Sequence, residues 1–306
     1  MHLIVTQPNE TSELPWNKLK RQAQRIGHHI EQQGDRIVKV ICELPVQPLA
    51  IKMAKAAGGT GDNVTLMTRP EMCAEQMLSD TSEGEEKAVV VWCVSNRFFE
   101  QNIAPKLNLA EVDSVELEGI QAQCCCLIAL KPATVTDLPV RVATVIPSSA
   151  LPKTFTFETE QGVEQRDRPA YYYSQAGVIP WRLKGQQLQV MLITSSKNRH
   201  WGFPKGVMEP GEPPEYTAQI EARDEGGIIG DIGVRIGQFE VPKWGANCTV
   251  ETFAMKVSEV LPRHIWQEHH RNRHWCSLEL AKGLVKNSSF VELLNELENC
   301  YQRGEL

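Results

Sequence analysis

The chain has 306 residues, 42 % of them hydrophobic and 23 % charged, with a net charge of −6. That length exceeds what one domain ordinarily needs and suits two, and the acidic balance argues against a general nucleic-acid or membrane-surface binder. No apolar stretch is long enough to span a bilayer, and the run Leu3 to Val5 lacks both the basic flank and the length of a signal peptide. The nine cysteines follow neither a disulfide nor a zinc spacing, so a cytoplasmic location is expected.

In chain order, His2 to Thr6, Arg36 to Glu43, Val64 to Met67, Lys87 to Val94 and Gln123 to Leu130 are short β-branched or Cys-rich apolar runs that predict strands. Between them, Trp16 to Gln33, Pro48 to Ala57 and Arg97 to Leu107 carry helical spacing. This alternation predicts a three-layer α/β domain with a mainly parallel sheet over residues 1–131. Neighbouring residues on a strand point to opposite faces, so Cys124, Cys125 and Cys126 cannot converge on one metal and are read as core. His28 and His29, mid-helix among polar residues, are read as a solvated face. Residues 132–169, punctuated by Pro132, Pro139, Pro147, Pro152 and Pro169, read as an extended linker with room for one or two strands added to a neighbouring sheet.

A second domain is expected over residues 170–306, where Thr252 to Val257 alternates as a strand should. Its most informative stretch runs from Gly206 to Ile228. Glu221, Asp224 and Glu225 fall within five residues there, after a Gly/Pro-rich loop that ends at Glu212. If Pro213 to Glu225 is a helix, all three carboxylates project to one side. Like charges so close repel, and a divalent cation removes the conflict; magnesium favours oxygen ligands of this kind. A metal-dependent phosphate site is the leading reading, against a charged helix face with Arg223 as counter-ion.

The spacing resembles the box of the Nudix hydrolases, G-x5-E-x7-R-E-U-x-E-E-x-G-U with U aliphatic. Gly206, Glu212, Glu221, Glu225 and Gly227 stand on specified positions, with Ala222 and Ile228 on the aliphatic ones, while Asp224 replaces a Glu and Ile220 replaces the Arg. Ala176 to Ile179 and Leu188 to Ile193 look like the family's first strands, joined by a Lys184-Gly185 turn. Trp201-Gly202-Phe203-Pro204-Lys205 leads into the loop as in members acting on dinucleoside polyphosphates and diphosphoinositol polyphosphates. Trp266 to Leu284 resembles the segment before the family's C-terminal helix, and the resemblance covers about residues 170–306.

The resemblance implies an αβα sandwich around a mixed sheet and a pyrophosphatase-type hydrolase using Mg2+, with Mn2+ as the substitute. It implies Glu221, Glu225 and Asp224 as catalytic metal ligands, completed by the Lys205 carbonyl. Lys205, Arg271 and Arg273, with Lys243 as a further candidate, are expected at the phosphates of a small-molecule substrate, against a solvated loop over Arg263 to His274, and Glu251 or Glu268 is expected as general base. Gly206 and Gly211 suit a loop that approaches a metal closely or takes positive φ, and Pro213 and Pro214 suit a helix's first turn. Ile220 cannot pair with Glu212 as the family's arginine does, so Glu212 is either solvent-exposed or paired elsewhere, with Arg223 as one candidate. Tyr171, Tyr172, Tyr173, Trp181, Trp201 and Trp244 offer faces for a nucleobase, with packing as the competing role.

The N-terminal element order resembles the small SixA-type phosphohistidine phosphatases, whose first strand ends in Arg-His-Gly. Here Thr6, Gln7 and Pro8 stand in that place, and Val91 to Asn96 supplies no second histidine. That resemblance implies a binding or packing module without the catalysis; a generic flavodoxin-like domain is the alternative. Two functions are therefore expected to compete: a Nudix hydrolase, or a weakened Nudix pocket serving as a nucleotide sensor.

Overall fold

A computed structural model describes residues 2–7, 15–67, 88–106, 125–132 and 140–306. Pro8, Cys124 and Pro139, singled out above, lie outside the described residues, as do Lys87, Gln123 and Leu107 at the ends of predicted elements. The chain divides into two compact units, Met1–Pro169 and Ala170–Leu306. No helix among the described residues is long and apolar enough to cross a membrane.

The first unit is built on β1 (His2–Gln7), β2 (Arg36–Cys42), β3 (Val64–Leu66), β4 (Ala88–Ser95), β5 (Cys126–Pro132) and β6 (Val140–Pro147), in the order β3-β2-β4-β1-β5-β6. The first four in that order are parallel, and β5 and β6 run antiparallel. Alternation along β1 sends Leu3 and Val5 to one face and Ile4 to the other. On the first face α1 (Trp16–Gln32) and α2 (Gln47–Ala56) bury Ile26, Ile30 and Met53. On the second, Phe98, Phe99 and Ile103 pack on Ile4 and Trp92. The result is the three-layer α/β arrangement.

Residues 132–169, expected as a linker, carry β6 at the sheet's edge and a separate hairpin of β7 (Phe155–Thr159) and β8 (Gly162–Arg166). The hairpin covers α1 and corrects the reading of His28. His28 Nε2 accepts the Thr156 N–H at 2.9 Å, and the ring stands edge-on to the fully buried Phe155, 5.3 Å between centroids. Polar neighbours in sequence therefore did not mean solvent: a distant hairpin supplies the partner.

The second unit holds β9 (Ser174–Lys184), β10 (Gln187–Thr194), β11 (Trp201–Gly202), β12 (Lys205–Val207), β13 (Ile228–Lys243), β14 (Ala246–Val260) and β15 (Arg273–Ser277). The order is β11-β10-β9-β14-β13, with β12 on β9 and β15 on β10; only β9 and β14 run parallel. One face packs on α3 (Pro214–Gly226) through Val178, Met191, Ala218, Ala222 and Phe253. The other packs on α4 (Leu278–Leu284) and α5 (Ser288–Gln302) through Ile179, Leu192, Phe290 and Leu294. This is the mixed-sheet αβα sandwich.

Candidate active site

The chain enters α3 through β12, whose Gly206 pairs with Ala176 of β9. The helix ends at Gly227, which takes the left-handed conformation (φ +59°) and donates its N–H to Arg223 O. Between these two points the carboxylates line up. Glu221 lies against the Gly206 backbone so closely that a Cβ there would stand 1.9 Å from its Oε1. One turn later, Glu225 Oε2 accepts the Lys205 N–H at 2.8 Å, and its Oε1 accepts from Arg271 Nη2.

Arg271 comes from the loop between β14 and β15 and is 8 % exposed. Its Nε donates to Glu268 Oε2 at 2.5 Å and its Nη1 to Thr194 O at 2.9 Å. The same loop folds onto the end of α3, where Asp224 O accepts from Trp266 Nε1 at 3.0 Å and from the Glu268 N–H at 3.1 Å. Glu268, outside the box, thereby joins the carboxylate cluster. Glu251, the other expected base, pairs instead with Arg235 at 2.5 Å.

Burial first, then the charges of Glu225, Asp224 and Glu268, push the Glu221 carboxyl up to about 7, against a smaller opposing effect of Lys205. Burial also raises Glu225, with Lys205 and Arg271 opposing it. The sign for stability follows. Between the ordinary carboxylate value of 4.5 and about 7, native Glu221 binds more protons than the unfolded chain does, so its contribution turns against the fold as pH rises. In a chelator-treated sample, the Tm of the wild type is expected to fall relative to that of Glu221→Gln from pH 4.5 to 7. Parallel melting curves across that window would contradict the assignment.

Among the described residues, no three acidic, histidine or cysteine side chains converge on one point as they stand. Glu225 is turned to Arg271 and to the Lys205 N–H. The donor chemistry nevertheless fits a hard divalent cation, because the cluster offers carboxylate oxygens and its burial leaves Glu221 short of positive charge.

The other expected residues divide. Arg273 does not join the carboxylates: its Nη1 donates to Gly227 O at 2.8 Å, its Nη2 to Leu261 O at 2.6 Å, and its guanidinium lies 4.6 Å from the Trp266 ring centroid. It closes the C-terminal end of α3, where free carbonyls favour a cation. Arg273→Ala is expected to cost about 1.5–3 kcal/mol by chemical denaturation, as lost charged hydrogen bonds do. If substrate KM rises while stability stays unchanged, the capping role is wrong. Lys243 lies 4.1 Å from the Trp244 ring centroid, in the β13–β14 hairpin. Gly211 has φ +86°, and neither Glu212 nor Arg223 forms an ion pair among the described residues, while Ile220 is 37 % exposed.

Of the aromatics, Tyr172 and Tyr173 pack edge-on to Trp244, and Trp181 is 4 % exposed within the core. Trp201 instead lines a cavity of about 190 Å³ together with Phe203, Lys205, Arg271, Lys286 and Phe290. Lys205 and Arg271 thus border both the cavity and Glu225. Thr194, whose carbonyl holds Arg271, belongs to no motif and carries no sequence signal for that role.

The family model described as the NUDIX domain matches residues 172–294. Nudix hydrolase 4 of Arabidopsis thaliana is 30 % identical over 146 residues, covering 44 % of this chain and 70 % of that protein. Diphosphoinositol polyphosphate phosphohydrolase 3-alpha of Mus musculus is 33 % identical over 97 residues, 30 % of this chain and 57 % of its own. Among solved structures, a C. elegans Ap4A hydrolase binary complex is 23 % identical, covering 43 % of this chain and 98 % of that one, with a TM-score of 0.38.

Proposed function

The chain belongs to the Nudix hydrolases, and from that premise we propose that residues 170–306 form a magnesium-dependent hydrolase of a diphosphate linkage in a nucleoside polyphosphate-type substrate. Dinucleoside polyphosphates and diphosphoinositol polyphosphates are the favoured substrates. One observation carries the reading: a half-buried carboxylate cluster seated on Gly206 shares Lys205 and Arg271 with an adjoining cavity. A diphosphate presents several anionic oxygens, and water attacks it slowly until that charge is neutralised.

Glu221, Glu225 and Asp224 would hold Mg2+ or Mn2+, with the Lys205 carbonyl completing the set. When bound, the ion supplies charge neutralisation at the phosphates and a more acidic water. The chain's own residues do the remainder. Lys205 borders the cavity and brings its charge to the phosphate chain, and the aromatic wall of Trp201, Phe203 and Phe290 receives the rest of the substrate. Glu268 is assigned as general base, because it stands in the cluster while Glu251 is held elsewhere by Arg235. Its Oε2 rests on Arg271, which leaves Oε1 to take the proton of the attacking water.

A nucleotide sensor is the second reading, favoured by the exposed Ile220 and by a Glu225 already engaged by Arg271. The purified protein with magnesium, assayed on dinucleoside polyphosphates, nucleoside triphosphates, ADP-ribose and diphosphoinositol polyphosphates, separates the two. Metal-dependent product release is expected. Ligand binding without turnover on a folded, metal-saturated sample would favour the sensor.

A further inference from the structure

Position 220, where the Nudix box has its arginine, is occupied by an isoleucine that is 37 % exposed. A guanidinium nevertheless reaches one carboxylate of the box helix, and it comes from outside the box. Arg271 spreads its fork over three separate elements: Glu225 on α3, Glu268 in its own loop and the Thr194 carbonyl at the end of β10. We propose that Arg271 is the positioning residue of this site, holding the metal ligand Glu225 in place and setting the general base Glu268 beside it. The inference rests on the metal-dependent reading above and goes beyond it by assigning the anchor of Glu225 and Glu268.

Three features support it. Arg271 is 8 % exposed, so its pairs are little screened by solvent, and its removal would leave two neighbouring carboxylates facing each other. The residue beside it is bolted to the sheet, with the Asn272 N–H on Thr194 Oγ1 and the Thr194 N–H on Asn272 O, both at 2.9 Å. Arg271 thus projects from a fixed point. Finally, Glu225 is gripped from two sides, by the Lys205 N–H and by Arg271, so its carboxylate plane is defined before any ion arrives. A planar guanidinium spreads fixed donors over acceptors on three separate elements; the donors of lysine's ammonium share one nitrogen and offer no such fixed fork.

The test is direct binding of Mn2+ to the full chain, followed by the electron paramagnetic resonance signal of the free ion, for wild type, Arg271→Ala, Arg271→Lys and Glu225→Gln. Partners that orient metal ligands typically contribute 10–100-fold in affinity, so Arg271→Ala is expected to weaken Mn2+ binding about 10–100-fold, with Arg271→Lys between the two. Circular dichroism selects the folded variants, and Arg271→Lys carries the test if the alanine variant does not fold. Unchanged or tighter Mn2+ binding in a folded Arg271 variant would overturn the inference, since Arg271 would then be a bystander or a competitor of the ion. If wild type and Glu225→Gln bind Mn2+ equally poorly, the metal-dependent reading itself falls and takes the inference with it.

Discussion

Glutamine at position 225 is expected to lower magnesium-dependent kcat/KM on the best substrate of the panel about 10³-fold. The change is nearly isosteric, and the amide oxygen still accepts the Lys205 N–H that Glu225 Oε2 accepts now. What disappears is the charge. A bound cation loses an anionic ligand, and Arg271 loses one of its two carboxylate partners while keeping Glu268. Neutralisation of phosphate charge by a metal is worth several kcal/mol in the transition state, and about 4 kcal/mol corresponds to about 10³ in rate. Because the fork retains Glu268 and Thr194 O, the variant should fold, which thermal melting verifies. A folded Glu225→Gln enzyme within tenfold of wild type would remove Glu225 from the site.

The box itself was legible in the sequence because it is local. Gly206, Glu212, Glu221, Glu225 and Gly227 are set by spacing along a loop and one helix, and the helix expected over Pro213 to Glu225 spans Pro214–Gly226. The first unit's strands and helices were equally local, each a short apolar run or a helical stripe. Three things were not legible, two of them because the partners lie far apart in sequence. Arg271 and Arg273, two residues apart, were indistinguishable as charges; the fold sends one to Glu225 and the other to the carbonyls of Gly227 and Leu261. Alternation along β15, which begins at Arg273, places that residue, while Arg271 still belongs to the loop. His28 looked solvated until the hairpin from residues 155–166 covered it. The 16-residue β13 went unnoticed because Gly230, Gly233 and Gly237 interrupt its apolar pattern, and its pairing with β14 shifts register near the same positions.

Gly206→Ala should also cut activity deeply, although the substitution adds one methyl and no charge. The new Cβ would stand 1.9 Å from Glu221 Oε1 and 2.2 Å from Cδ, so one of the two groups has to move. The strand cannot retreat, because Gly206 lies between Lys205 and Val207 in the β12–β9 pairing. The helix cannot retreat either, since Ala218 and Ala222 of α3 are fully buried against the sheet. The Glu221 side chain is left as the flexible party and is driven from the place where it faces Glu225 and Asp224. Overpacking of this kind costs about 1–3 kcal/mol, which a two-domain chain survives. A ligand misplaced by about 1 Å costs on the order of 10²-fold in rate, so the expected pattern is a folded protein with a deep loss of turnover. Gly185→Ala is the control: its φ of +63° makes alanine strained there, yet nothing lies within 4 Å of the new Cβ. A modest loss of stability with activity largely kept is expected for Gly185→Ala. If Gly206→Ala behaves in the same way, Glu221 does not need the seat that Gly206 provides.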